Sequence, residues 1–178
     1  MYVGTPRGAI SMLGAGTTHM AARGGLDLEV FTRKLEPQLA PAYRLARLAG
    51  CSADEAADVV QEACLRAWKH RANLRGEFTP WFLKIVWNEA RRPRWRWLLA
   101  GLPSPLQRGS PETVDDQVQL VLRSLPTRQR SALWLRYGHD VSTRDVARVL
   151  GMSEAGAKQL LFRARVAFRE GMRTSEGA

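Results

Sequence analysis

The chain has 178 residues, enough for one ordinary domain or two small ones, and a 45% hydrophobic content sufficient for real cores. Its formal net charge of +10 and pI near 10.7 favour an acidic partner such as nucleic acid. Cys51 and Cys64 are too few for a disulfide framework or a cysteine-based zinc site, the three histidines have no metal-ligand spacing, and no apolar run spans a membrane.

Residues 1–25, rich in Gly, Thr and Ala, lack the compact apolar segment of a signal peptide. They read as a flexible tail, with Met1 and Met20 both fitting as the start, and a cytoplasmic location is expected. Leu28 to Leu48 carries Phe31, Leu35, Leu39, Tyr43, Ala46 and Leu48 at helical spacing, with Pro37 and Pro41 as irregularities and Gly50 as its end. Ser52 or Asp54 caps the next helix, Glu55 to about His70, along which Ala56, Val59, Val60, Ala63, Ala67 and Trp68 are apolar. Cys64 falls in that pattern as a small core residue.

A polar loop, Arg71 to Phe78, follows. Thr79 is the expected cap of a helix with Pro80 at its first position, ending near Arg92 because Pro93 bars continuation. Trp81 is expected in the core, and Trp87 is left open. Residues 93–113, rich in Pro, Arg and Gly and without periodicity, read as a linker. Trp95, Trp97, Leu98 and Leu99 within it suit docking on a domain or a partner. Helices are then expected from Val114 to Ser124 and from Thr127 to Tyr137, separated by Leu125-Pro126. Nothing alternates with period two, so the chain is all-α.

The last stretch, Ser142 to Arg169, has the spacing of a helix-turn-helix. Ala147 is the small residue where two helices touch, Gly151 is the turn residue that tolerates a left-handed conformation, and Ala157 lets the second helix lie close. Val146, Leu150, Met152, Leu160 and Leu161 fill the space between them. Ser142 with Asp145, and Ser153, are the expected N-caps. On the second helix Ala157, Leu160, Leu161, Ala164 and Phe168 share one face, while Gln159, Phe162 and Arg163 point away, flanked by Lys158, Arg165 and Arg169. An exposed Phe among cations suits a base-edge or thymine-methyl contact, Arg163 a bidentate pair with guanine, and Lys158 and Arg165 phosphates.

Charge is distributed unevenly. Residues 66–108 hold ten Lys/Arg against Glu77 and Glu89, and residues 118–178 hold eleven against five acids, whereas residues 1–65 carry six cations and seven anions. Two basic segments separated by the acidic Glu112, Asp115 and Asp116 imply a bipartite contact with a long polyanion.

Three motifs carry a resemblance. Asp58-Val59-Val60-Gln61-Glu62-Ala63-Cys64-Leu65-Arg66-Ala67-Trp68 resembles region two of bacterial sigma factors of the sigma-70 family, in particular the small extracytoplasmic-function group. Trp81 to Asn88 resembles that group's Trp-Leu-x-x-Ile-Ala-x-Asn pattern. Leu125-Pro126-x-x-x-Arg130 and Leu133-x-Leu135-Arg136-Tyr137, completed by the helix-turn-helix, resemble region four. The resemblance implies two small helical domains joined by a flexible linker. They fall at 26–92 and 115–172, with 93–114 as the linker and 173–178 as a tail.

The same resemblance implies roles. Asp58, Gln61 and Glu62, on one helix face at i, i+3 and i+4, would bind core RNA polymerase, with the uncompensated acids Asp58 and Glu62 facing cationic partner helices. Asn73 in the loop would serve a flipped promoter base, Asn88 the nearby strand, and Lys84, Arg91 and Arg92 phosphates at the −10 element. Lys158, Gln159, Phe162, Arg163 and Arg165 would read the −35 element. Promoter DNA, core polymerase and an anti-sigma protein are the implied partners; no cofactor, metal or membrane insertion is implied. This sequence departs from the group in a loop about two residues shorter between Gly76 and Trp81, in Pro93, which truncates a helix that often continues, and in Gly156-Ala157-Lys158-Gln159. A stand-alone helix-turn-helix regulator, which would bind a palindrome without polymerase, is the alternative. A metal-dependent nuclease using Asp54, Glu55, Asp58 and Glu62 is a third.

Overall fold

The computed structural model describes residues 26–92 and 114–176, all of them in helices, turns and loops with no strand among the described residues. The linker expected at 93–113 and its Trp95 to Leu99 run lie outside the described residues, as does the tail at 1–25.

The first lobe begins with α1, Leu28–Leu35, whose N-cap Asp27 accepts a bond from the Val30 amide at 2.8 Å. One continuous helix to Leu48 is not formed: a 3₁₀ turn, Glu36–Gln38, separates α1 from α2, Leu39–Leu48. Pro37 sits inside that turn, where its missing N–H and ring bulk interrupt the α-ladder. Gly50 at φ +103° then turns the chain out of α2. Helix α3, Ala53–Lys69, starts on a full capping box: the Glu55 amide donates to Ser52 Oγ at 3.3 Å and the Ser52 amide donates to Glu55 Oε2 at 2.7 Å.

Helix α4, Phe78–Ala90, starts one residue before the expected cap, so Thr79 lies inside it and Pro80 falls in its first turn, where the amide has no intrahelical partner anyway. The early start is explained by Phe78, which is buried and meets Phe31 edge-on at 5.7 Å between ring centroids. Helix α4 is buried on almost every side, through Phe78, Pro80, Phe82, Leu83, Val86, Trp87, Glu89 and Ala90. An all-round apolar helix needs cover on both flanks. Helices α2 and α3 cover one; the other is met by the second lobe.

That lobe comprises α5, Val114–Ser124, α6, Thr127–Leu133, a π turn at Trp134–Gly138, α7, Thr143–Leu150, and α8, Glu154–Glu176. The helix expected over Thr127 to Tyr137 thus changes to π geometry after Leu133. Helix α8 runs past residue 172, where a tail was expected. Its end is held by packing: a Cβ at Gly171 would stand 2.7 Å from Val121 Cγ1, so only glycine lets α5 approach so closely, and Gln117 donates to Ser175 Oγ at 2.8 Å. Both lobes contribute to one continuous buried cluster, with α7 packed on α4 and α6 on α2.

Candidate nucleic-acid interface

The helix-turn-helix is formed by α7 and α8, and its local signals act as the sequence suggests. The Asp145 amide donates to Ser142 Oγ at 3.1 Å and the Gly156 amide to Ser153 Oγ at 3.1 Å, which caps both helices. Gly151 takes the left-handed conformation, φ 66° and ψ 51°. Ala147, Ala157, Leu161 and Ala164 are buried along the seam with Val146 and Leu150, while Met152, Leu160 and Phe168 pack partly buried against it.

The opposite side of α8 is open to solvent. Phe162 is 60% exposed and Val166, one turn on, is 38% exposed. Gln159, Arg163, Arg165 and Arg169 are exposed around them. Lys158 is exposed but pairs with Glu154 at 3.1 Å, and Arg165 Nη1 donates to the hydroxyl of exposed Tyr137 at 3.5 Å. Tyr137 thereby extends the basic face beyond the helix, a contact that sequence spacing does not reveal because Tyr137 lies in the π turn.

A second cationic ridge lies on α4. Lys84, Asn88 and Arg91 recur at i, i+4 and i+7 and are exposed, with Arg92 beside them. Arg91 lies over the Trp87 ring at 5.3 Å, and Arg92 pairs with buried Glu89 at 3.5 Å. Trp81 is half-buried against the core, and Trp87, left open by the sequence, is fully buried with an unpartnered indole N–H. Asn73 is exposed at the end of a 3₁₀ turn, Arg71–Asn73, that follows α3. Arg71 holds this turn: it stacks over Trp68 at 3.8 Å and donates to the Trp68 carbonyl at 2.8 Å.

The acidic face of α3 is only partly as expected. Asp58 and Gln61 are exposed. Glu62 is not an uncompensated acid: Arg66 Nε lies 2.9 Å from its Oε1 and also 2.9 Å from Glu89 Oε1. The pairing arises because Arg66 is one turn after Glu62 and faces α4, where Glu89 is buried. Leu65, 49% exposed, adds an apolar residue beside Asp58 and Gln61 at i+7 and i+4. Its signal in the sequence is an apolar residue outside the buried stripe of α3. Cys64 is half-buried rather than fully in the core, and burial pushes its thiol up to about 11. Among the described residues no group of three or more His, Cys, Asp or Glu is placed to hold a metal ion. No helix among them is long and apolar enough to cross a membrane.

Residues 35–96 match the sigma-70 region 2 family and residues 115–168 the sigma-70 region 4 family. The chain belongs to the sigma-70 family. Regions 2 and 4 on one short chain are the organisation of its extracytoplasmic-function group. Among similar sigma-70 proteins is a probable RNA polymerase sigma factor RfaY of Xanthomonas campestris pv. campestris, 31% identical over 134 residues; the match takes in 63% of this chain and 32% of that protein. This sigma-70 chain therefore spans about a third of the length of that relative. The RNA polymerase sigma-H factor of Pseudomonas aeruginosa is 29% identical over 138 residues, 65% of this chain and 72% of that protein. A similar solved fold is the sigma factor RpoE of Bartonella quintana, in complex with the anti-sigma factor NepR. It has TM-score 0.67 and 24% identity, covering 82% of this chain and 98% of that one.

Proposed function

We propose that this chain is the promoter-specificity subunit of a bacterial RNA polymerase, binding the core enzyme and directing initiation through −10 and −35 elements. The observation that carries this reading is that one small chain presents two separate exposed cationic surfaces, Lys84 with Arg91 and Arg92 at α4 and Arg163 with Arg165 on α8, and an exposed acid, Asp58, on α3. A repressor needs only the first kind of surface. The exposed Asp58, Gln61 and Leu65, with Glu62 on the same face, would contact the core enzyme. Lys84, Asn88, Arg91 and Arg92, with Asn73 in the preceding turn, would hold the −10 strand: cations on phosphate, amides on a base edge. Lys158, Gln159, Phe162, Arg163 and Arg165 would read the −35 major groove.

The chain makes and breaks no bond itself; the polymerase supplies the chemistry. Its place of action is the cytoplasm, on the nucleoid when polymerase-bound. An anti-sigma protein is the regulatory partner that the similarity to RpoE in its NepR complex supports.

Run-off transcription with core polymerase, with and without the chain, tests this function. Specific transcripts are expected only with the chain. The double variant Asp58→Ala/Gln61→Ala should lower core affinity about tenfold, as two interface contacts worth roughly 1.4 kcal/mol together would. Tight palindrome binding without polymerase, and no co-purification with the core enzyme, would falsify it.

A further inference from the structure

We infer, on the reading above that α8 lies in the −35 major groove, that Val166 is a further specificity-determining residue: with Phe162 it forms an apolar strip that takes thymine C5-methyl groups about two base pairs apart.

Position on the helix defines the strip. At 100° per residue Val166 lies roughly 40° round α8 from Phe162 and one turn further along it. Both stand on the side away from Ala157, Leu161 and Ala164, which are buried in the seam with α7. Exposed Ala155 continues the same line towards the start of the helix. Val166 thus faces away from the packing of α8 on α7. As a β-branched residue it is also a poorer helix former than the Arg residues around it, so it does not serve the helix either. A lone exposed apolar side chain is ordinary, but two in register on the solvent face of one helix form a surface for a partner.

The surroundings of the strip say which partner. Lys158, Arg165 and Arg169 lie roughly 20–60° to one side of Phe162, and Arg163 lies beyond Val166 on the other. All four are exposed. Lys158 pairs with Glu154 at 3.1 Å and Arg165 donates to the Tyr137 hydroxyl at 3.5 Å, so both head groups have partners off the apolar line. An apolar line between cations matches a major groove, whose floor carries thymine methyls and whose walls carry phosphates. An apolar protein helix seated there would leave the cations unpaired. Exposed Glu170, one turn beyond Val166, closes the strip, because a carboxylate is repelled by phosphate.

Spacing sets what is read. The four residues from Phe162 to Val166 span roughly 6 Å of helix. Base pairs rise about 3.4 Å each, so the two side chains meet methyl groups about two steps apart. The C5-methyl of thymine is the apolar group on the major-groove edges, and an apolar side chain selects it by removing it from water.

The test removes that methyl alone. Holoenzyme assembled from core polymerase and the full-length chain is given duplex DNA with a randomised stretch, and the bound sequences are recovered. Recovery of a −35 element by wild type tests the promoter function by itself. Each thymine of that element is then replaced by deoxyuridine. Two replacements, about two base pairs apart, should each lower holoenzyme affinity about fourfold, the effect of one buried methyl. Val166→Ser should bind the thymine element about fourfold more weakly and no longer distinguish uracil from thymine at one of the two positions. Val166→Thr, which keeps a methyl, should still distinguish them. Serine matches valine in helix propensity and the site faces solvent, so the Tm of Val166→Ser should stay within about 1 °C of wild type. Unchanged discrimination at both positions in Val166→Ser overturns the inference and leaves the promoter reading standing, as does a selected element indifferent to deoxyuridine. A wild-type holoenzyme that selects no sequence overturns both.

Discussion

Glu89→Gln perturbs the charge network that ties α3 to α4. Glu89 is the only acidic residue buried among the described residues, 4% exposed, and its Oε1 lies 2.9 Å from Arg66 Nε and 3.5 Å from Arg92 Nε. Removing one member of a buried pair costs about 3–5 kcal/mol, because the remaining charge is left uncompensated. Here Arg66 is 31% exposed and keeps Glu62 at 2.9 Å. Solvent and the second carboxylate therefore absorb part of the loss. The expected destabilisation is about 1.5–3 kcal/mol, which for a folded body of this size lowers Tm by roughly 4–10 °C. Circular-dichroism melts at neutral pH should compare wild type, Glu89→Gln, Arg66→Met and the double variant. The double variant should melt above Glu89→Gln alone, since no orphaned guanidinium remains. A Glu89→Gln melt within about 1 °C of wild type would refute the reasoning: the carboxylate would then be solvated, and α3 and α4 would not be tied by charge.

Phe162→Ala should reduce −35-dependent run-off transcription about tenfold, the scale of one base contact. Its core-polymerase affinity, read by native gel shift, should not change, and a loss of that affinity instead would move Phe162 out of the DNA interface. Gly151→Ala places a side chain at φ 66° with no atom within 4 Å of the new Cβ, so the cost is purely conformational, about 1–2 kcal/mol. Tm should fall by roughly 2–6 °C; an unchanged melt would remove the left-handed turn from the account. Burial lowers the His139 pKa below its ordinary value, so the folded chain favours the neutral ring. The resulting stability is fully present above the unfolded-state pKa and is lost as pH falls from there through the lowered folded-state pKa. Wild-type Tm should therefore drop more steeply than that of His139→Gln between about pH 7.5 and 5.5, and parallel curves would exclude His139 as the source.

What could be read along the chain was whatever depends on near neighbours. Ser52, one of the two caps expected there, Ser142 with Asp145, and Gly151 are capping and turn signals within four residues of their partners, and each acts as expected. The exposed face of α8 followed from the 3.6-residue period alone, because its neighbour α7 precedes it directly in the chain. Pro80 misled by two residues. It is compatible with several positions near a helix start, and the buried ring of Phe78, set by the distant Phe31, fixed which.

The sequence by itself determined an all-helical chain with two lobes, a helix-turn-helix and the family to which it belongs, since periodicity, caps and motifs are local or read in order. Only the tertiary structure decided that Glu62 is paired through Arg66 to Glu89, that Trp87 and Val149 are fully buried, and that Arg130 reaches Leu48, 82 positions away. Those features depend on which helix faces are brought together across long chain separations. A helix as apolar all round as α4 demands cover on its second flank, but its composition does not name the helix that supplies it. Packing α7 there is what joins the two lobes in one buried cluster.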